Sequence, residues 1–140
     1  MSPSRKPTVD LFPGSAFPIL SSYSRADALD DGALLDVSPT AREAGLRWPV
    51  ALTCAAWDLC VAVSPAADRA GQDESGRLWD VLWMLRHAIG QAGAGNRQQL
   101  VFHVHIVTET EHAVPISLQA HVGPGDDGAP VIAIMLVDES

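Results

Sequence analysis

The chain has 140 residues, 47% of them hydrophobic and 19% charged, which is enough apolar material for one core and excludes wholesale disorder. Nine basic against seventeen acidic residues leave a net charge of −8; this argues against a nucleic-acid-binding surface and leaves solubility or a basic protein partner. No apolar run approaches the roughly 20 residues that span a bilayer, and Met1–Phe17, rich in Pro and Ser, lacks a signal-peptide core.

Residues 1–19 carry Pro3, Pro7, Pro13 and Pro18 and read as an irregular arm. Residues 20–140 read as a single domain. Ser24 with Asp27 marks a helix start and Gly32 a stop, giving one or two turns over Arg25–Asp31. Ala33–Val37 is a short apolar run suited to a sheet edge. Ser38-Pro39 opens a second short helix that Gly45 ends. After Val50–Leu52, Thr53 is a predicted N-cap for a helix over Cys54–Val61 with Ala55, Leu59 and Ala62 on one side. Ser64–Gly76 reads as a polar loop. Within it Asp73 and Glu74 stand where carboxylates favour the next helix N-terminus. That helix, Arg77–Ile89, has the clearest 3.6-residue period, through Leu78, Val81, Leu82, Leu85 and Ile89. Gly90–Gln99 connects it to the sheet; its glycines do not make a phosphate loop, because no Lys-Ser/Thr follows and no strand precedes.

Three strand-like runs end the chain: Leu100–Thr108, Val114–Val122 and Val131–Val137. In the first two, even-numbered apolar residues alternate with Val101, His103, His105 and Val107 and with Pro115, Ser117, Gln119 and His121, the period of half-buried strands. A hairpin centred on Asp126 sets Leu118, Ala120 and Val122 across from Ile134, Ile132 and Pro130, and one centred on Glu111 keeps the same parity. Val131–Val137 is apolar on both faces, as an inner strand requires. The expected fold is α+β: an antiparallel sheet of three to four strands with two main helices on one face.

The chemistry-bearing residues are sparse. Cys54 and Cys60, six apart on one helix, point to different faces and do not bridge; two buried thiols suit a reducing, cytoplasmic setting. Neither is placed as a nucleophile, and no Gly-x-Ser-x-Gly elbow or tuned carboxylate pair occurs, so no catalytic residue and no cofactor is predicted. His103, His105 and His121 share one sheet face and are the weak candidates for a metal site. They are weighed against half-exposed sheet histidines, the commoner arrangement. Asp126 and Asp127 in Gly123–Pro130 are weighed as cation ligands or partner contacts against ordinary turn chemistry, which the Asp and Gly content favours. Trp79 and Trp83, i and i+4, form a face offset from the leucine stripe, with Arg86 and His87 beside it. That face belongs either to the core or to an interface, and Trp79, Trp83 and Arg86, with Asp126 and Asp127, are the interface candidates.

Four blocks resemble an uncharacterised family of short bacterial proteins: Tyr23–Ser38 (YSRADALDDGALLDVS), Ala41–Thr53 (AREAGLRWPVALT), Gly76–Arg86 (GRLWDVLWMLR) and Gly123–Leu136 (GPGDDGAPVIAIML). The likeness runs over residues 20–137 and leaves out the Pro-rich arm. Its members are encoded mainly on plasmids, phages and integrative elements and carry no established activity, so the resemblance brings no site residue. It implies a mobile-element accessory protein. The functional expectation is a non-enzymatic protein binder, an acidic inhibitor of a host defence complex that itself binds nucleic acid. The alternatives are a homo-oligomeric structural module closed by the tryptophan face and a metal-dependent enzyme using the histidine face. No nucleic acid and no membrane is expected to bind directly.

Overall fold

The computed structural model describes residues 24–92, 98–107 and 112–139. The Pro-rich arm, residues 93–97 of the connection ahead of the first long strand, Thr108 and Glu111 lie outside the described residues.

The elements run α1 (Arg25–Asp31), β1 (Leu34–Asp36), α2 (Ser38–Glu43), β2 (Val50–Thr53), α3 (Cys54–Cys60), α4 (Pro65–Arg69), α5 (Glu74–Ala92), β3 (Gln99–Val107), β4 (Ala113–Pro124) and β5 (Pro130–Leu136). The fold is α+β. Its sheet has five strands in the order β1-β2-β5-β4-β3 and is mixed, because β2 pairs parallel with β5 while the other neighbours are antiparallel. The expected antiparallel sheet of three to four strands is corrected on both counts. The β3-β4-β5 meander is the part that local turn signals specify. The β2–β5 pair joins segments far apart in sequence with no turn between them, so no local signal sets its direction. β5 is an inner strand, as its two-faced apolar pattern requires.

Helix caps follow the sequence closely. Ser24 and Asp27 close a reciprocal capping box on α1, and Gly32 ends it with φ +83°. Thr53 Oγ1 accepts from Ala56 N and caps α3. α5 begins three residues before the expected start, where Asp73 accepts from Gly76 N at 2.7 Å. Ser64–Gly76 is not wholly a loop: Ser64 Oγ accepts from Ala67 N and Pro65 takes the first turn of α4. α3 is rotated from its expected phase, burying Ala56 and Cys60 and exposing Ala55. A seven-residue helix leaving directly from β2 takes its phase from the strand, not from the spacing of Ala55, Leu59 and Ala62.

Sheet parity is as expected, but the registers are displaced. Leu118, Ala120 and Val122 stand opposite Leu136, Ile134 and Ile132, and Val107 stands opposite Ala113 and not Pro115. In the β4–β5 hairpin the cause is the turn. Gly128 N donates to Gly125 O, Gly125 N donates to Ala129 O, and Gly128 adopts φ +86°. This is a three-residue loop with a left-handed glycine, so Gly123 and Pro124 remain in the strand and the hairpin centres on Asp127. A shift of two residues preserves the faces. Even-numbered residues of β3, β4 and β5, with Val50 and Leu52, pack against Leu78, Val81, Leu82 and Leu85 of α5 and Ala56 and Cys60 of α3. On the opposite face, Ala28 of α1 covers Leu34 and Ala51.

Arg77, in the first turns of α5, is 3% exposed. Its Nε donates to Val61 O at 3.1 Å, Nη2 to Leu59 O at 3.1 Å, and Nη1 to Val107 O at 3.0 Å and Gln72 Oε1 at 2.7 Å. The guanidinium thus answers the free carbonyls at the C-terminal end of α3, where the helix dipole favours a cation. Among the described residues no helix is long and apolar enough to cross a membrane.

Arg77→Met keeps the stem and removes every donor, leaving buried carbonyls without partners. It is expected to lower unfolding free energy by about 3 kcal/mol, read as a reduced urea midpoint. A midpoint within experimental error of wild type would show that the guanidinium is not needed.

Candidate functional site

Each turn of α5 spends its sheet-facing arc on Leu78, Val81, Leu82 and Leu85. Trp79 and Trp83 each follow a buried leucine by one residue, which turns them about 100° around the helix. They are surface residues, 37% and 46% exposed, so the choice between core and interface falls on the surface. Their rings stack with centroids 6.1 Å apart and planes 13° apart. Arg86 lies over Trp83 with Cζ 5.4 Å from the ring centroid, a cation–π contact.

The loop after α2 runs close against Arg86. Gly45 has φ +96°, which favours glycine, and a Cβ there would fall 2.5 Å from Arg86 Nε, so the arginine's end would have to shift. Beyond Gly45 the surface continues into an open groove of about 860 Å³, lined by Leu46, Trp48, Leu85, Ile89, Leu100 and Val122 among others. Trp48 and Ile89 on its rim are 46% and 40% exposed, so Ile89 is not the core residue that the helical period suggests.

The other predicted residues are placed elsewhere and in other roles. Asp126 takes Arg25 N and Ala26 N on its two carboxylate oxygens at 3.0 and 2.9 Å, so it caps α1 from the far end of the chain. Asp127 accepts from Ala129 N at 3.0 Å within the turn. Both carboxylates are thus used inside the fold, and neither lies on α5 with the tryptophans. His103, His105 and His121 do share the odd-numbered face, opposite Ser117, Pro115 and Gln99 respectively. His121 is four residues along β4 from the position opposite His103, about 13 Å by strand rise. His103 Nδ1 is bonded to Ser117 Oγ at 2.9 Å and His121 Nε2 to Gln119 Oε1 at 3.0 Å. Burial holds the His121 imidazolium below its ordinary pKa. Among the described residues no group of three or more His, Cys, Asp or Glu is placed to hold a metal ion.

The cysteines differ from each other, and the expectation of two buried thiols is corrected. Cys60 is fully buried and Cys54 is exposed; neither is bridged. Burial raises the Cys60 pKa from 9.0 to about 11, against a smaller opposing pull from Arg77. Cys54 stands in the first turn of α3 on its solvent side, near Asp58.

Two outcomes follow from these environments. In native protein near about pH 8 a disulfide reagent is expected to titrate Cys54 alone, with Cys60 appearing on denaturation. Because the folded Cys60 pKa is raised, its contribution to stability is full below 9.0 and lost as pH climbs toward about 11; alkaline melts of Cys60→Ala should lack that decline. Separately, Gly45→Ala is expected to cost roughly 1–3 kcal/mol through its left-handed backbone and to change tryptophan fluorescence as Arg86 leaves Trp83. Unchanged emission would disconnect the loop from the aromatic face.

Comparison with curated proteins and with solved structures finds no match. A family match covers residues 10–140, reaching back into the Pro-rich arm that the resembling sequence blocks leave out. The chain belongs to DUF6573, a family of unknown function.

Proposed function

We propose that this chain is a non-enzymatic protein-binding module that docks through α5, with Trp79, Trp83 and Arg86 as its contact residues. The observation that carries this reading is the exposed Trp79–Trp83 stack with Arg86 laid over it. Two indoles and a guanidinium that already pack on one another lose less side-chain entropy on docking than isolated ones, and Trp and Arg are the residue types that dominate interface energetics. The chain's charge of −8 favours a basic partner surface. The likeness to proteins of plasmids, phages and integrative elements supports an accessory role in the cytoplasm of a bacterial host. On this reading the partner is a nucleic-acid-binding complex of host defence, whose basic channel an acidic protein competes for.

The test is retention of a partner from host lysate on immobilised full-length protein, followed by affinity measurement with that purified partner. Trp83→Ala is expected to weaken binding at least tenfold, about 1.4 kcal/mol, while leaving the thermal midpoint nearly unchanged. Binding should also weaken as salt rises. Equal affinity in wild type and Trp83→Ala would remove α5 as the docking surface.

A further inference from the structure

β3 lies at one end of the sheet, and among the described residues nothing pairs with its outer edge. Hydrogen-bond parity defines what that edge presents. Val122 N donates to Gln98 O at 2.8 Å, so in the unbroken β3–β4 register the even-numbered residues of β3 bond to β4. Odd-numbered residues therefore turn their N–H and C=O groups outward. The neighbouring ladder agrees, since Gly125 N to Ala129 O assigns odd-numbered residues of β4 to β5.

One end of the edge is closed. Val107 O accepts from Arg77, and Val107 packs under Ala66 and Ala67 of α4. The open run is Gln99–His105, with outward main-chain groups at Gln99, Val101, His103 and His105. It contains no proline and no Lys, Arg, Asp or Glu, and its register shows no bulge. Those are the devices by which natural sheets keep an edge from pairing. The opposite edge, β1, is three residues long and ends on Asp36.

We propose that Gln99–His105 pairs with the same segment of a second copy of this chain, antiparallel about a two-fold axis at Phe102, joining two five-stranded sheets into one. Phe102 is the midpoint of the open run. Gln99 then stands opposite His105 of the partner subunit, and Val101 opposite His103 of the partner subunit, so every outward group finds a mate. Two copies at −8 repel, and an edge without charged side chains is where they approach at least cost. Even-numbered residues keep to the core side in both copies, so Phe102 and Val104 are not brought into water. The contact is isologous and closes as a dimer. This pairing is independent of the α5 docking face.

The experiment is sedimentation of the full chain across a concentration series, with amide hydrogen exchange at each concentration. Wild type is expected to pass from monomer to dimer, and exchange at Val101, His103 and His105 to slow as it does. Phe102 and Val104, bonded to β4, are already slow in the monomer. Val101→Pro removes an outward N–H that the β3–β4 ladder does not use, and Val101→Lys, at a position 50% exposed, charges the edge without touching the backbone. Both are expected to abolish the dimer, and Trp83→Ala to retain it. A wild-type monomer at every concentration overturns the proposal. So does a dimer that survives Val101→Lys, or one that Trp83→Ala dissolves.

Discussion

A guanidinium buried among main-chain carbonyls holds this fold in its arrangement. Arg77 joins the last turn of α3, the stretch after α4, the first turns of α5 and the end of β3, through three carbonyls and the Gln72 amide oxygen. Burial depresses its pKa, while the pull of Cys60 and Asp80 works the other way. A side chain satisfied by backbone fixes elements more tightly than one satisfied by a mobile carboxylate, because its acceptors cannot move without their helix or strand. The orientation of α5 about its own axis follows. With Arg77 held against α3 and Leu78, Leu82 and Leu85 on the sheet, Trp79 and Trp83 have nowhere to go but outward. The same contact closes the β3 edge at Val107 and leaves Gln99–His105 open.

Long-range tethers from polar side chains recur where the secondary structure is short. α1 has seven residues and little apolar surface of its own, and its first turn is held by Asp126 in a turn a hundred residues later. The C-terminal segment is held in the same way. Glu139 accepts from Leu136 N and Thr53 Oγ1, and the buried Gln119 donates to the carbonyls of Leu136 and Glu139. These ties have no period and no fixed spacing. Only the three-dimensional placement of their hydrogen-bond partners tells a structural Asp126 from a cation ligand, or a buried Gln119 from a solvated one.

That difference sets what was legible in the sequence. Caps and turns act over three or four residues, so Ser24/Asp27, Ser38-Pro39, Thr53 and Gly32 mark their helices correctly. α4 follows the same Ser-Pro signature and is overlooked because Gly71 and the polar residues around it suggest a loop. Strand faces are legible because parity survives a slip of two, and the β4–β5 register is not, because it depends on Gly128 taking up φ +86° in a turn centred one residue later than symmetry suggests. The parallel β2–β5 pair and the burial of Arg77 are tertiary facts without local signal. Among the site residues, the sequence identifies the Trp79–Trp83 pair and its offset from the leucine stripe, but exposure depends on what else covers that flank.

The exposed tryptophan face of α5 has no sequence motif of its own, for a physical reason. A catalytic site needs particular groups at fixed spacing, and these leave motifs. On the proposed docking reading the apolar area is supplied by one aromatic stack, one arginine over it and one glycine against which the arginine lies. Each has an ordinary structural reading on its own: tryptophan as core, arginine as surface charge, glycine as helix terminator. Their meaning comes from being brought together by the phase of α5 and the loop after α2. On the proposed reading the contact residues are the side chains that the core leaves over, so the burial pattern of α5 is what points to them.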